Sequence, residues 1–334
     1  MSSCILTKRF RFIVNVLVTG GAGYIGSVLV DRLITEGHKV KIIDDLSNGF
    51  TENIHKNAVL FEGSILDNDI LTKAIEGVEV VFHLAAKIRV AEGESEPDLY
   101  KKVNIDGSLN LLKLCQKKGI KKFIFASTAA VYGDSKDYPI TEKSKEAPVN
   151  VYGQTKLEID RYLFENAQLL GISSISFRFF NVGGALKNSD GKWLRIKHEG
   201  ATHLIPSILH SSDVNPLLIN GTDWPTSDGT PVRDFVHVTD LVDALVKSLA
   251  HLEKVGHTII NIGTATGSTV LQVVVAAESV LGRKIHYKFS ERRAGDCFAL
   301  VSSNEAAKIV LGWKPTKSLK EILKDANSEL TANN

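Results

Sequence analysis

Two side chains that can move a proton lie four residues apart, Tyr152 and Lys156, in the segment YGQTK. Residues spaced i and i+4 share one face of a helix, so the phenol and the ammonium are expected to be neighbours. A phenol with a reference pKa of about 10 is a poor base at neutral pH, but a nearby positive charge stabilises the phenolate and lowers that pKa. Thr128 ends a predicted strand and adds a hydroxyl that can bond a reacting oxygen. This set predicts proton removal from a substrate hydroxyl, provided that the fold brings the three together.

A glycine-rich turn lies near the start of the chain, in NVLVTGGAGYIGSVLVDRL. Gly20 permits the tight turn, Gly23 allows the backbone to approach a pyrophosphate, and Gly26 lets the following helix pack closely on the strand. The amino end of that helix presents unpaired N–H groups and a positive dipole to the phosphates. Because the spacing follows a buried strand and opens a helix, it predicts a dinucleotide site.

An acidic residue indicates which dinucleotide is bound. Asp44 closes the second predicted strand, where its carboxylate would accept hydrogen bonds from the adenosine ribose. The same charge would repel a 2′-phosphate. The sequence therefore predicts NAD rather than NADP, and it disfavours a reductase that uses NADPH.

Short apolar runs alternate with longer helical patterns from Asn15 to Ser127, which predicts the elements that carry these residues. The strand candidates are NVLVT, KVKIID, AVLFE, VVFHLA and KFIFAS, with a sixth, ISSISFRFFN, after the helix that opens near Tyr152. Runs without polar alternation suit strands that are buried on both faces. We therefore predict an α/β fold, a doubly wound parallel sheet of the Rossmann type, with a smaller C-terminal α/β cap that binds substrate.

The predicted domain boundaries follow from the same pattern. Residues 1–14 are expected to form an N-terminal extension and residues 15–181 the NAD-binding domain. Residues 182–334 are richer in Gly, Pro, Asp and His and are expected to form mainly the cap, with segments near 235–262 returning to the first domain.

Composition limits the partners. Lys plus Arg total 40 against 38 for Asp plus Glu, so the near-neutral charge gives no reason to expect nucleic acid. No apolar run reaches the roughly 20 residues that cross a bilayer, and the first dozen residues do not resemble a signal peptide. The widely spaced cysteines and histidines favour a reducing cytoplasm and no metal site; they include Cys4, Cys115, Cys297, His83, His203 and His237.

Taken together, these motifs resemble the extended short-chain dehydrogenase/reductase family, and among its members most closely the UDP-galactose 4-epimerases. The similarity runs from about Asn15 to about Pro315. It includes VTGGAGYIG, IDDLSNG, FHLAA, ASTAAVYGD, RFFNVGGA, GTDWPTSDGTPVRDFVHVTDL and RRAGD, in that order along the chain.

The resemblance implies a hidden redox cycle at C4 of a UDP-hexose. Tyr152 would take the proton of the C4 hydroxyl while bound NAD takes hydride, and the 4-keto sugar would turn and regain hydride on its other face. Lys156 would hold the nicotinamide ribose and Thr128 would bond the C4 oxygen. The implied cofactor contacts are Gly20, Gly23, Tyr24, Ile25, Gly26, Asp44, Asp45, Asn48, Ser64, Ile65, Leu84, Ala85, Ala86, Asn104 and Lys156. The implied substrate contacts are Thr128, Tyr152, Asn181, Leu204, Arg233, Arg293 and Asp296.

Some positions depart from the family pattern. Ser64 replaces the aspartate expected to bond adenine, and His203 stands where asparagine is common, beside the expected backbone contact at Leu204. Leu300 matches a position that limits the room beside C2 of the sugar, and its intermediate size leaves N-acetylated substrates open. Lys87 is given no role.

Other functions share parts of this pattern. UDP-glucuronate, UDP-xylose and UDP-N-acetylglucosamine epimerases share the chemistry, and a silent NAD-sensing protein could share the fold. A 4,6-dehydratase needs an acid beside the strand-five hydroxyl, whereas Thr128 is followed by Ala129 and Ala130.

The resemblance also implies a homodimer, paired through the helices predicted around 105–118 and 152–169. The apolar residues on those helices would either line that interface or face the home sheet; they are Leu109, Leu112, Leu157 and Leu163.

Overall fold

The structure, a computed structural model, describes residues 13–198, 203–292 and 296–333. The predicted N-terminal extension therefore falls almost wholly outside the described residues. In the described part the strands are β1 (Asn15–Thr19), β2 (Lys39–Asp44), β3 (Val59–Glu62), β4 (Val80–His83), β5 (Lys122–Thr128), β6 (Ser173–Phe179), β7 (Asn181–Gly183), β8 (Leu217–Asn220), β9 (Val232–His237), β10 (Gly256–Ile262), β11 (Gly267–Thr269), β12 (Tyr287–Ser290) and β13 (Ala299–Leu300).

The helices alternate with these strands along the first half of the chain. They are α1 (Tyr24–Thr35), α2 (Asn68–Ala74), α3 (Val90–Ser95), α4 (Pro97–Tyr100), α5 (Gly107–Lys118), α6 (Val151–Leu170), α7 (Leu204–Leu209), α8 (Val238–Lys247), α9 (Val270–Leu281), α10 (Glu305–Leu311) and α11 (Leu319–Asn333). Lys101–Asp106 forms a π-helix, and Thr51–Asn53, Ala129–Tyr132 and Ser248–His251 are 3₁₀ turns.

Seven strands form one parallel sheet in the order β10-β6-β5-β4-β1-β2-β3. Along β1 the buried side chains alternate between the two sides of the sheet: Val16 and Val18 pack into one apolar cluster and Leu17 into the other. Both faces are covered by helices, so the central strands β1, β4 and β5 are largely apolar and buried. The predicted doubly wound fold is confirmed, and the strand order reverses between β1 and β4, where such folds place their ligand.

Helix α6, which carries the candidate proton-moving pair, has well-defined ends. The Asn150 side chain caps its start by accepting a hydrogen bond from Gly153 N at 2.8 Å. Gly171 ends it in the left-handed conformation, at φ 64°. Ile159, Leu163 and Ala167 are buried on the side of the helix that packs into the apolar cluster beside the sheet, whereas Leu157 is buried against the turn Ala129–Tyr132.

A second region lies beyond β6 and is organised around β9. This strand pairs in parallel with β7 and β13 and antiparallel with β11, while β8 and β12 form a separate parallel pair. The apolar sides of α7, α9 and α11 pack together beneath these strands. Between β9 and β11 the chain returns to the large sheet: α8 packs against α1, and β10 pairs with β6 at the edge of that sheet.

No helix in the described ranges is long and apolar enough to cross a membrane.

Candidate active site

The turn after β1 leaves no room for side chains at two of its glycines. Gly20 has φ 73°, and a Cβ there would lie 2.9 Å from Ala85 N at the end of β4. A Cβ on Gly26 would lie 2.0 Å from the Gly20 carbonyl oxygen. The turn therefore depends on glycine for both its conformation and its close packing.

The start of α1 is suited to binding an anion. No side-chain hydrogen bond caps the helix at Gly23, and its first turn contains no acidic residue. The N–H groups of Tyr24, Ile25 and Gly26 lie in that uncapped first turn, where the helix dipole is positive. Tyr24 anchors the turn because its hydroxyl donates to the Gly184 carbonyl at 2.6 Å.

Asp44 lies beside this turn at the end of β2. Its Oδ2 accepts from Ala22 N and its Oδ1 from Leu46 N, both at 2.9 Å, and burial raises the pKa of the carboxyl group. Each carboxylate oxygen retains a lone pair for a further donor, such as a ribose hydroxyl. Asp44 is thus hydrogen-bonded to the glycine turn, next to which the sequence predicts a contact to an adenosine ribose.

The other adenosine-side candidates lie in the loops after β2 and β3. Asp45 accepts from Ser47 N at 3.0 Å and from Ser47 Oγ at 2.5 Å, and Asn48 is exposed in the same loop. Ser64 Oγ accepts from Leu66 N at 3.2 Å, next to the buried Ile65. The Ser64 hydroxyl keeps its proton free to donate, where a carboxylate would only accept.

Asn104 ties the exit of β4 to helix α6. Its Oδ1 accepts from Lys87 N at 2.8 Å, and its Nδ2 donates to Lys87 O at 3.0 Å and to Thr155 Oγ1 at 3.1 Å. Asn104 lies in the π-helix, a local widening that is frequent at functional sites. The partly buried segment Leu84–Ala86 is therefore held next to the residue that precedes Lys156.

The proton-moving residues meet at the carboxyl end of β5. Thr128 hydrogen-bonds Tyr152, which lowers the pKa of the phenol, but burial is the larger effect and raises that pKa to about 12. Lys156 Nζ donates to the Ala126 carbonyl at 2.8 Å and lies 4.7 Å from the centre of the Phe125 ring. Burial lowers the pKa of Lys156 to about 8, against an opposing effect of Asp160. The lysine is thus mostly charged at neutral pH.

The candidate substrate residues gather on β9 and its neighbours. Arg233 donates through Nη1 to the Cys297 carbonyl at 3.0 Å and pairs through Nη2 with Asp296 Oδ1 at 3.2 Å. Asn181, on β7, donates to the Asp234 carbonyl at 3.2 Å. Three of the substrate residues proposed from the sequence are therefore adjacent in space, and Arg293 lies outside the described residues.

The substrate region adjoins the proton-moving residues. Thr128 pairs in register with Phe179, two residues before Asn181. Leu300 pairs with Arg233 and packs against the apolar cluster that contains Ala129 and Leu157. Leu204 starts α7, on the side of the cap that packs against α9 and α11.

Sequence reasoning missed two buried polar groups that support the site. Behind β5, Arg178 pairs with Asp160 at 3.0 Å and with Glu146. On β9, next to Arg233, the fully buried Asp234 accepts five hydrogen bonds, from Thr264, Ala265 and Ser302. A buried charge is hard to detect from sequence because its partners lie on other elements.

Comparisons with known proteins agree with this geometry. Residues 16–263 match the model of the NAD dependent epimerase/dehydratase family. A UDP-glucose 4-epimerase of Corynebacterium glutamicum is 40% identical over 317 residues, which cover 93% of this chain and 94% of that protein.

Two solved structures show the same architecture. The crystal structure of UDP-glucose-4-epimerase from Stenotrophomonas maltophila, with bound NAD and formylated UDP-arabinopyranose, has a TM-score of 0.91 at 31% identity and covers 96% of this chain and 98% of its own. The UDP-glucose 4-epimerase of Brucella ovis in complex with NAD has a TM-score of 0.89 at 34% identity. The match covers 94% of this chain and 98% of that chain.

Proposed function

This chain belongs to the NAD-dependent epimerase/dehydratase family, and we propose that it interconverts UDP-galactose and UDP-glucose by NAD-dependent epimerisation at C4. The observation that carries this function is the convergence of two sites at one edge of the sheet. The glycine turn follows β1, and Thr128 ends β5 beside Tyr152. In a parallel sheet both lie at the carboxyl edge, where a bound dinucleotide reaches the reacting sugar.

The residues present fit NAD. The uncapped start of α1 suits the pyrophosphate, Asp44 suits an unphosphorylated adenosine ribose, and Lys156 suits the nicotinamide ribose. When bound, NAD supplies the acceptor and donor of the hydride exchanged with C4.

The side chains move the proton. The Tyr152 phenolate takes the proton of the C4 hydroxyl and, as the phenol, later returns it, while Thr128 holds the C4 oxygen. In the structure the pKa of Tyr152 is about 12, so the phenolate needs positive charge close to it. Lys156 supplies that charge below pH 8 and is fixed by the Ala126 carbonyl.

Arg233 and Asp296 are proposed to bind the UDP portion. The guanidinium fork suits two phosphate oxygens, and the carboxylate suits the uridine ribose. In the structure the two side chains pair with each other at 3.2 Å. Binding of UDP would then replace one half-buried ion pair by contacts to the ligand, with Asn181 and Leu204 completing the pocket.

The natural sugar depends on the space beside Leu300. This side chain packs against the cluster around Ala129 and Leu157, so it bounds the pocket near the catalytic threonine. A leucine is smaller than an aromatic residue, which keeps UDP-N-acetylglucosamine as the second candidate substrate. Ala129 and Ala130 offer no acid for elimination of water, so the dehydratase branch of the family is disfavoured.

The assembly is proposed to be a homodimer paired through α5 and α6, acting in the cytoplasm. Leu112 and Leu163 pack, together with the partly buried Leu109, into the apolar cluster beside the sheet, and Leu157 is buried against the cluster around Ala129, so these leucines pack within the chain itself. The free apolar surface of α6 is instead formed by Phe164 and Leu169, whose side chains are 70% and 77% exposed. Equilibrium sedimentation of a Phe164→Glu variant tests the proposal: the wild type should be dimeric and the variant weakened, whereas a monomeric wild type overturns it.

The domain division is retained as a proposal, with residues 15–181 binding NAD and the later residues mainly binding the UDP-sugar. The placement of β10 beside β6 supports the return of the segment near 235–262 to the first domain.

The function is tested by incubating the purified protein with UDP-galactose, first without and then with added NAD, and separating the products by chromatography. UDP-glucose should accumulate to an equilibrium mixture. The absence of product under both conditions would refute the proposed activity. A parallel assay with UDP-N-acetylglucosamine tests the second candidate substrate.

A further inference from the structure

A buried histidine connects three of the segments that surround the NAD site. His83 ends β4 and is 1% exposed. Its Nδ1 lies 2.7 Å from Thr19 Oγ1, at the end of β1, and its Nε2 lies 2.8 Å from Ser108 Oγ, at the start of α5. The ring therefore bridges the strand that leads into the glycine turn and the helix that follows Asn104.

The direction of each hydrogen bond follows from the neighbours of Thr19. Thr19 Oγ1 accepts from Ala85 N at 3.1 Å and shares the Leu84 N–H, 3.2 Å away, with the Thr19 carbonyl. A Thr19 hydroxyl that accepts from these backbone groups donates its own proton to His83 Nδ1, so Nδ1 carries no proton. The ring is neutral, and Nε2–H donates to Ser108 Oγ.

The same order continues at the far end. Since Ser108 Oγ receives the proton of Nε2, its own hydroxyl donates to the Asn104 carbonyl at 2.5 Å. One unbroken series of donors thus runs from Thr19 through His83 and Ser108 to the backbone of Asn104. At one end Thr19 Oγ1 bonds the backbone N–H groups of Leu84 and Ala85, and at the other end Ser108 Oγ bonds the backbone of the π-helix.

The surroundings of His83 keep its ring neutral at physiological pH, which preserves the direction of these hydrogen bonds. Burial, and secondarily the positive charge of Lys156, lower the pKa of His83 to about 3. The Phe125 ring lies close to both groups, 5.7 Å from the imidazole centre and 4.7 Å from Lys156 Nζ. A protonated imidazole would also lose the bond from Thr19, because it has no acceptor.

We propose that His83 is a positioning residue for bound NAD, held as the Nε2-protonated neutral ring so that the ends of β1 and β4 and the π-helix keep the spacing that the cofactor requires. This inference rests on the proposed NAD site but not on the identity of the sugar. The contact at Gly20 shows why this spacing matters, because a Cβ there would lie only 2.9 Å from Ala85 N. A small shift of the segment after β4 would therefore disturb the glycine turn.

The first test needs no substitution. In protein labelled with ¹⁵N-histidine, long-range ¹H–¹⁵N correlation spectra distinguish the two neutral forms and the imidazolium. The signal that disappears in His83→Gln identifies residue 83. We expect the Nε2-protonated form, unchanged from pH 5.5 to pH 8. An Nδ1-protonated ring or a ring that titrates in this range overturns the proposal.

The second test separates positioning from simple stability. His83→Phe keeps a buried ring but loses both hydrogen bonds, whereas His83→Gln can accept with its amide oxygen and donate with its nitrogen. We expect the Kd for NAD to rise at least tenfold in His83→Phe and by less than threefold in His83→Gln. Saturating NAD should restore turnover in His83→Phe to within a few-fold of the wild type.

The matched control is His257→Phe. His257 also has a pKa lowered by burial, to about 4, and bonds Ser174 at 2.8 Å, but it lies near the start of β10, away from the carboxyl edge. Its Kd for NAD should match the wild type. An unchanged Kd in His83→Phe, or an equal loss in His257→Phe, refutes the positioning role. An inactive wild type whose Kd still responds to His83→Phe would instead refute the epimerase function and leave this inference standing.

Discussion

The Lys156 ammonium donates to the Ala126 carbonyl, with 2.8 Å between Nζ and the oxygen, and is thereby held beside the strand that ends in Thr128. One backbone oxygen and one aromatic face replace the water that an exposed lysine would have. The ammonium is therefore held by contacts within the protein itself, and its desolvation has a measurable cost.

That cost predicts how stability depends on pH. Burial lowers the pKa of Lys156 from 10.5 to about 8, so between these values the unfolded chain binds more protons than the folded chain. Stability attributable to this group therefore rises with pH across that window and is flat below it. Relative to Lys156→Met, the wild type should gain up to about 3 kcal/mol between pH 8 and pH 10.5. Urea unfolding at several pH values measures this, with Lys136→Met, at an exposed lysine, as the control. A difference that does not vary with pH would contradict the prediction.

Tyr152→Phe removes the proton acceptor but keeps the ring. Turnover should fall by at least about 100-fold, since general acid–base groups contribute factors of this order. The Kd for the UDP-sugar, measured by calorimetry, should stay within a few-fold of the wild type. Tyr287→Phe, on the exposed strand β12, is the control and should be fully active. Near-normal turnover in Tyr152→Phe would remove this residue from its role.

Arg233→Gln tests the phosphate clamp. Loss of charge-assisted hydrogen bonds worth about 1.5–3 kcal/mol should raise KM for the UDP-sugar by roughly 10- to 150-fold while kcat changes little. Arg233→Lys should recover only part of the loss, because an ammonium lacks the planar fork. Arg32→Gln, in an exposed pair with Glu36, serves as the control for loss of one positive charge. If Arg233→Gln and Arg233→Lys both keep the wild-type KM, Arg233 does not bind the diphosphate.

Asp160→Asn tests the buried ion network. The substitution leaves the fully buried Arg178 with Glu146 as its remaining acidic partner. Breaking a buried pair typically costs about 3–5 kcal/mol, so the free energy of unfolding should fall by about 3 kcal/mol. In the exposed pair Asp134–Lys136, Asp134→Asn should cost less than about 1 kcal/mol. Equal losses at the two positions would show that burial of the network has no special effect.

Features that depend on residues close together in the sequence could be predicted well. The glycine spacing requires both a tight turn and close helix packing, and Tyr152 and Lys156 lie one helical turn apart whatever surrounds them. The parallel sheet follows from apolar strands separated by helices, and six of its strands could be assigned from those runs.

Contacts between distant elements could not be predicted in the same way. His83 was given no role, because its partners Thr19 and Ser108 lie 64 and 25 residues away. The direct pairing of Arg233 with Asp296, 63 residues apart, could likewise not be predicted from the sequence. The four leucines of α5 and α6 could face either a partner or the home sheet, since periodicity marks an apolar side without saying what covers it.

The position of β10 bears on how the chain folds during synthesis. Ser174 on β6 meets His257 on β10 across 83 residues, and those residues include much of the cap. Until β10 has been made, β6 is left as an open sheet edge, although the glycine turn and Tyr152 have long been synthesised. Such an edge invites pairing with other chains. A ribosome-bound fragment that stops before Gly256 should therefore be prone to aggregation, and the nascent protein completes its seven-stranded sheet only after β7, β8 and β9 of the second region have been made.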